Sequence, residues 1–128
     1  MAYAKTLPIP AGTTADDPAE VMLALAYGTI REVMIIIPPG HAGLTRLRIL
    51  YHESQAFPRN PESYYYGDDT VVHFPCNYPI HSAPWELKLQ GWAPDATLPH
   101  SIQVEVGLIE EATVGPTPAA FVPLPEGV

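Results

Sequence analysis

Proline is excluded from helix interiors and central strands, because it lacks the backbone N–H and fixes φ. Sixteen of the 128 residues are proline, more than twice the average frequency. Spread along the chain, they allow only short elements and so point to strands between frequent turns. The first stretch, MAYAKTLPIPAGTTADDP, carries Pro8, Pro10 and Pro18 and shows no sustained period of 2 or 3.6. It reads as an extended arm over residues 1–18. Residues 112–128 contain Pro116, Pro118, Pro123 and Pro125, which bias the backbone towards polyproline II, and they read as an extended tail.

Between these ends, residues 19–111 read as one β domain. Val21, Leu23, Leu25 and Tyr27 alternate, Gly28-Thr29 breaks the run, and Val33, Ile35 and Ile37 alternate after it. This pattern predicts a hairpin, with a two-turn helix over 19–26 as its rival. After Pro38-Pro39-Gly40, Thr45, Leu47, Ile49 and Tyr51 alternate with Arg46, Arg48, Leu50 and His52, so the arginines mark a wetted or partner-facing side. Residues 55–69 form a loop longer than the usual connection, as binding or assembly loops often are. A strand over 70–74 follows, then a loop over 75–84. Trp85, Leu87 and Leu89 should point inward on a strand over 85–92, whose mate is the strand over 101–109 with Ile102, Val104, Val106 and Leu108. Residues 93–100 suit a hairpin loop or a crossing between sheets. The fold class is therefore all-β: an antiparallel β-sandwich, for which jelly-roll connectivity is one option, with proline-rich arms at both ends.

Charged residues make up 16% of the chain against 47% hydrophobic ones, well below the roughly 25% charged that is typical. A small domain with so uncharged a surface is expected to hide part of it against partners, in an oligomer or lattice. The net charge of −8, with six Lys and Arg, excludes nucleic acid as an expected ligand. One cysteine, Cys76, allows no intrachain disulfide. No apolar run has the length of a signal peptide or a membrane span, so the expectation is synthesis in the cytoplasm without a signal peptide and no membrane partner.

The sequence offers little chemistry. His41, His52, His73, His81 and His100 fall in no recognised metal-ligand spacing, and a site from His52, Glu53 and His73 competes with two ordinary strand histidines. Cys76 with His73 or His81 could form a thiol and imidazole pair, against the plainer reading of a small buried hydrophobe. Asp68, Asp69 and Glu62 offer only part of a calcium shell. Neither a nucleophile elbow nor a phosphate loop occurs. The expectation is no catalytic residue, no metal and no cofactor. Tyr64-Tyr65-Tyr66, with Phe57, Tyr51, Tyr78 and Trp92 as possible neighbours, provide flat apolar faces with hydroxyl handles. Such faces suit a protein interface, the stacking of sugars, or a lid packed on the domain itself.

The arm LPIPAGTTADDP, the strand and turn IIIPPGHAGL and the terminal segment WELKLQGWAPDATLPHSIQVEVGLI give the chain a style that resembles small capsid decoration and accessory virion proteins of tailed bacteriophages. The resemblance implies location in the virion, a homotrimer, and a capsid or other shell protein as partner. On this reading Leu7, Ile9, Tyr64, Tyr65, Tyr66, Trp92, Phe121, Val122 and Leu124 are the interface residues, with arm and tail bridging neighbours. The rivals are a carbohydrate-binding or host-recognition module and a small β-sandwich enzyme with a cryptic site at His52, His73 and Cys76.

Overall fold

Branched apolar side chains at every second position place one face of each strand in a dry interior and the other in water. The computed structural model describes residues 2–60 and 62–111, which form nine strands. The first sheet has the order β1 (Ala2–Ile9), β9 (His100–Glu110), β3 (Gly28–Ile37), β7 (Thr70–Ile80). The second has β2 (Ala19–Ala24), β8 (Glu86–Trp92), β4 (Arg46–Tyr51) and β5 (Ser54–Phe57), with β6 (Tyr65–Tyr66) also paired to β4. All pairings are antiparallel. The chain passes from one sheet to the other between β1 and β2, β2 and β3, β3 and β4, β6 and β7, β7 and β8, and β8 and β9. That alternation is jelly-roll connectivity.

The core is built from the inner positions of both sheets, among them Ile30, Val33, Ile35, Leu47, Ile49, Leu87, Leu89, Ile102, Val104 and Val106. In β3 a register shift between Ile30 and Glu32 turns Arg31 and Glu32 both outward and returns Val33 to the inside. Alternation in β4 and β9 is as the pattern requires, and in β8 it holds as far as Leu89, after which Gln90, Gly91 and Trp92 are all buried.

Several expectations are corrected. Residues 1–18 do not form an arm outside the fold: β1 pairs with β9 along its whole length, from Ala2 opposite Gly107 to Ile9 opposite His100. Leu7 and Ile9 are core residues at 1% exposure, not interface residues. They cross above β8 at Gly91, where a Cβ would come within 2.5 Å of Ile9 Cδ1 and 2.9 Å of Leu7 Cδ2. Pro8 is tolerated because an edge strand needs only half of its N–H groups for the ladder. The same reasoning explains β7, which runs on through Pro75 and Pro79 where a loop was expected. It too lies at a sheet edge, and both prolines face outward.

The strands over 21–24 and 30–37 exist, but they lie in opposite sheets and form no hairpin. β8 and β9 likewise belong to opposite sheets, and residues 93–99 cross between them. Trp85 precedes β8, is 38% exposed and meets Tyr27 edge-on, so it is not a core residue. The expected tail, with Phe121, Val122 and Leu124, lies outside the described residues.

One end of the sandwich is closed by residues 38–43, whose Gly40 and Ala42 N–H groups donate to Asp68 Oδ1 at 2.9 and 3.0 Å. The backbone N–H of Ala42, with those of Gly40 and His41, holds the Asp68 carboxyl below its ordinary value. His41 is buried under this loop with its ring 4.5 Å from that of His100. Burial, reinforced by His100, pushes its pKa below the usual histidine value.

Leu7→Ala should cost about 2–5 kcal/mol by chemical denaturation, whereas Trp85→Ala should stay within about 1 kcal/mol. The reverse order would mean that β1 does not belong to the folded core. Because His41 is neutral in the fold and charges more readily when unfolded, its contribution to stability is complete above about pH 6.5. It is lost as the pH falls towards the lowered folded-state value, so the wild type should lose more stability across this window than His41→Phe. Equal slopes in denaturant midpoint against pH would refute this role.

Candidate functional site

The period of two divides the tyrosine run. Tyr64 and Tyr66 emerge on the outer face of the second sheet, 38% and 62% exposed, while Tyr65 turns the other way. Tyr65 is half-buried and stacks on Phe74, which continues through Phe57 and Tyr78 to Tyr51 in a chain of ring contacts along the β7 side of the sandwich. Tyr65 is therefore part of the packing rather than an interface residue. Burial raises its hydroxyl pKa.

On the outer face, strand register sets the rows. Arg46 is opposite both Trp92 of β8 and Tyr66 of β6, Arg48 is opposite Gln90, and Gln90 is opposite Glu20 of β2. The Arg46 guanidinium lies 5.2 Å from the Tyr64 ring centre, and that of Arg48 lies 5.1 Å from the Trp92 ring centre. Tyr64 meets Trp92 edge-on at 5.7 Å and Tyr66 at 5.9 Å. Arg48 Nε donates to Gln90 Oε1 at 2.7 Å, and Gln90 Nε2 donates in turn to Glu20. Further along, Lys88 Nζ donates to Glu53 Oε2 at 2.6 Å, and that carboxylate holds the ammonium pKa above its usual value. Met22, Leu50, His52, Glu53, Pro84, Glu86 and Lys88 line a recess of about 310 Å³ there.

Trp92 is only 7% exposed. It is covered by Tyr64 and Arg48 and supports the cluster from below instead of presenting its own face to a partner, as the sequence suggested. Tyr66 is the open ring. Arg46, Arg48 and Lys88 are three of the chain's six cations, so an acidic protein gathers half of its positive charge on one sheet face. Arg46 has no carboxylate partner among the described residues. The loop behind the tyrosines is held by Gln55, whose Nε2 donates to the carbonyls of Pro58, Asn60 and Ser63 at 2.7, 3.0 and 3.0 Å. The residues responsible were visible in the sequence. The missed signal was that Arg46 and Arg48 alternate on the same side as Tyr64 and Tyr66.

The cryptic histidine and cysteine site does not assemble. His73 faces outward from β7 and meets Glu32 at 2.7 Å, whereas Cys76 points inward, with its thiol 3.6 Å from the Ile30 carbonyl. Burial raises the thiol pKa, against the low value a nucleophile needs. His52 lies in the turn after β4, 3.2 Å from the Ser82 carbonyl. His81 meets Glu111 at 3.0 Å. Among the described residues, no three His, Cys, Asp or Glu side chains are placed to hold one metal ion.

No family model matches the chain, and no curated protein matches it. Among solved structures it is similar to one described as the crystal structure of FLHE, with 13% identity over 83% of this chain and 94% of that one and a TM-score of 0.41.

Because Trp92 supports the cluster while Tyr66 only tops it, Trp92→Ala should cost about 3–5 kcal/mol and Tyr66→Ala no more than about 0.5 kcal/mol. Urea titrations that show similar losses for the two would contradict this division.

Proposed function

We propose that the chain is a non-catalytic structural assembly subunit, a virion decoration or accessory protein that binds neighbouring protein subunits, its own copies included, through the outer face of the second sheet. The observation that carries the proposal is the cluster of Tyr64, Tyr66, Arg46 and Trp92 in mutual contact, with Tyr66 62% exposed at its top. Tyrosine, tryptophan and arginine are the residues that dominate binding energy at protein interfaces. Here they are already held by one another and by strand pairing, so their burial costs little additional side-chain entropy. Arg46 offers charge to a carboxylate on the partner. The low charged fraction agrees with a surface that is covered in use. Jelly rolls also form viral capsid domains, which is an analogy of fold only. Since β1 belongs to the core, bridging on this reading runs through the sheet face and not through an N-terminal arm.

A second reading, a glycan-binding module, is favoured by the open Tyr66 ring beside Tyr64, since a sugar can stack on an exposed aromatic face. Jelly rolls include lectin domains as well. The two readings separate in solution. Sedimentation should give a species larger than the 13.9 kDa monomer, most simply a trimer, and Tyr66→Arg should dissociate it with an unchanged unfolding midpoint. A wild-type monomer at high micromolar concentration would count against the assembly reading. A glycan-array signal lost in Tyr66→Ala would establish the second.

A further inference from the structure

The described chain ends at a fixed place. The Glu111 carboxylate accepts from Thr29 Oγ1 at 2.7 Å and meets His81 Nε2 at 3.0 Å, and the Glu111 N–H donates to the Tyr27 carbonyl at 3.0 Å. The His81 ring stacks on Tyr27 at 4.6 Å. His81 also lines a shallow groove of about 450 Å³ with Tyr51, Arg59, Tyr78, Pro79 and Ser82. The floor of that groove is fixed. Tyr51 Oη donates to the Ser82 carbonyl at 2.8 Å and accepts from the Ser82 N–H at 3.1 Å, and the Tyr51 and Tyr78 rings meet edge-on at 5.9 Å. The Arg59 guanidinium lies 5.5 Å from the Tyr78 ring centre, and among the described residues it has no carboxylate partner.

From this placement we infer that the groove is an intramolecular docking site for the chain's own proline-rich C-terminal segment, residues 116–125, PTPAAFVPLP. Grooves walled by tyrosine rings are how proteins recognise polyproline II segments, because the flat rings pack against pyrrolidine faces and the stiff ligand loses little entropy. The segment's position fits as well. Residues 112–115, at about 3.1 Å each in extended form, span about 12 Å, and they start from a residue already in contact with the groove wall. Tethering at that distance gives an effective concentration in the range of millimolar, enough to hold a weak contact. Charge agrees too: Glu126 follows the segment, and Arg59 is the cation available at the groove. The docking would continue the ring contacts that run from Tyr65 to Tyr51, covering the groove at their Tyr78 and Tyr51 end.

The inference is independent of the assembly reading, because it concerns one chain and is tested whether the chain is a monomer or an oligomer. In the full, isotopically labelled chain, nuclear Overhauser effects should connect the Tyr51 and Tyr78 ring protons to proline protons of residues 116–125. The double substitution Pro118→Ser, Pro123→Ser should shift the Tyr78 and His81 ring resonances and remove those effects. Arg59→Ala, an exposed change that leaves the core untouched, should weaken the effects without moving the methyl resonances of Leu87 and Leu89. Ring resonances unmoved by the tail substitutions, with no effects to the prolines, would overturn the inference. So would effects that appear only between a labelled and an unlabelled copy in a mixed sample, since they would place the segment on a neighbour.

Discussion

The two sheets pack closely where Leu7 and Ile9 of β1 lie over Gly91 of β8, and much else in the molecule follows from it. With no side chain at Gly91, an edge strand of the first sheet sinks far enough to bury both residues at 1% exposure. The first strand thus seals one margin of the interior. The opposite margin is sealed differently, by the buried Phe57 ring of β5 and half-buried rings on β6 and β7. One side is closed by aliphatic packing against a glycine and the other by a row of aromatics, and the β-branched core lies between them.

That asymmetry also decides where a surface for binding can arise. The aromatic row takes Tyr65 inward, and the alternation of an extended chain then forces Tyr64 and Tyr66 outward, next to the arginines of β4. The outward pair rests on Trp92, which the register places opposite Arg46. Inner packing and the outer cluster are two faces of one short strand. A one-residue slip of β6 would exchange them.

Strands β2, β3, β4, β8 and β9 and the first half of β7 were legible, because alternation of Leu, Ile and Val is a local signal, whereas β1, β5 and β6 fall in stretches that read as arm and loop. Leu47 and Ile49, Leu87 and Leu89, and Ile102 through Leu108 lie inward as their spacing indicates. Pairing was not legible. Residues adjacent in sequence, such as β8 and β9, suit a hairpin equally well when only their own pattern is considered, and the choice of opposite sheets depends on contacts with β2 and β1 far away in the chain. Proline misled in a specific way: Pro8, Pro75 and Pro79 forbid a central strand, but an edge strand accepts them, and no local signal distinguishes an edge from a loop. At the candidate site the tyrosines stood out, whereas the burial of Trp92 depends on Arg48 of β4 and Tyr64, just before β6, closing over it.

Those edge prolines have a consequence for how many copies of the chain can coexist. The first sheet ends on one side in β1 with Pro8 and on the other in β7 with Pro75 and Pro79. An open strand border invites another backbone to extend the sheet, and each proline interrupts the row of donors such an extension would need. Growth of the first sheet from copy to copy, strand against strand, is thereby hindered at both of its borders, and contact through side chains on its faces is left as the safer way to gather.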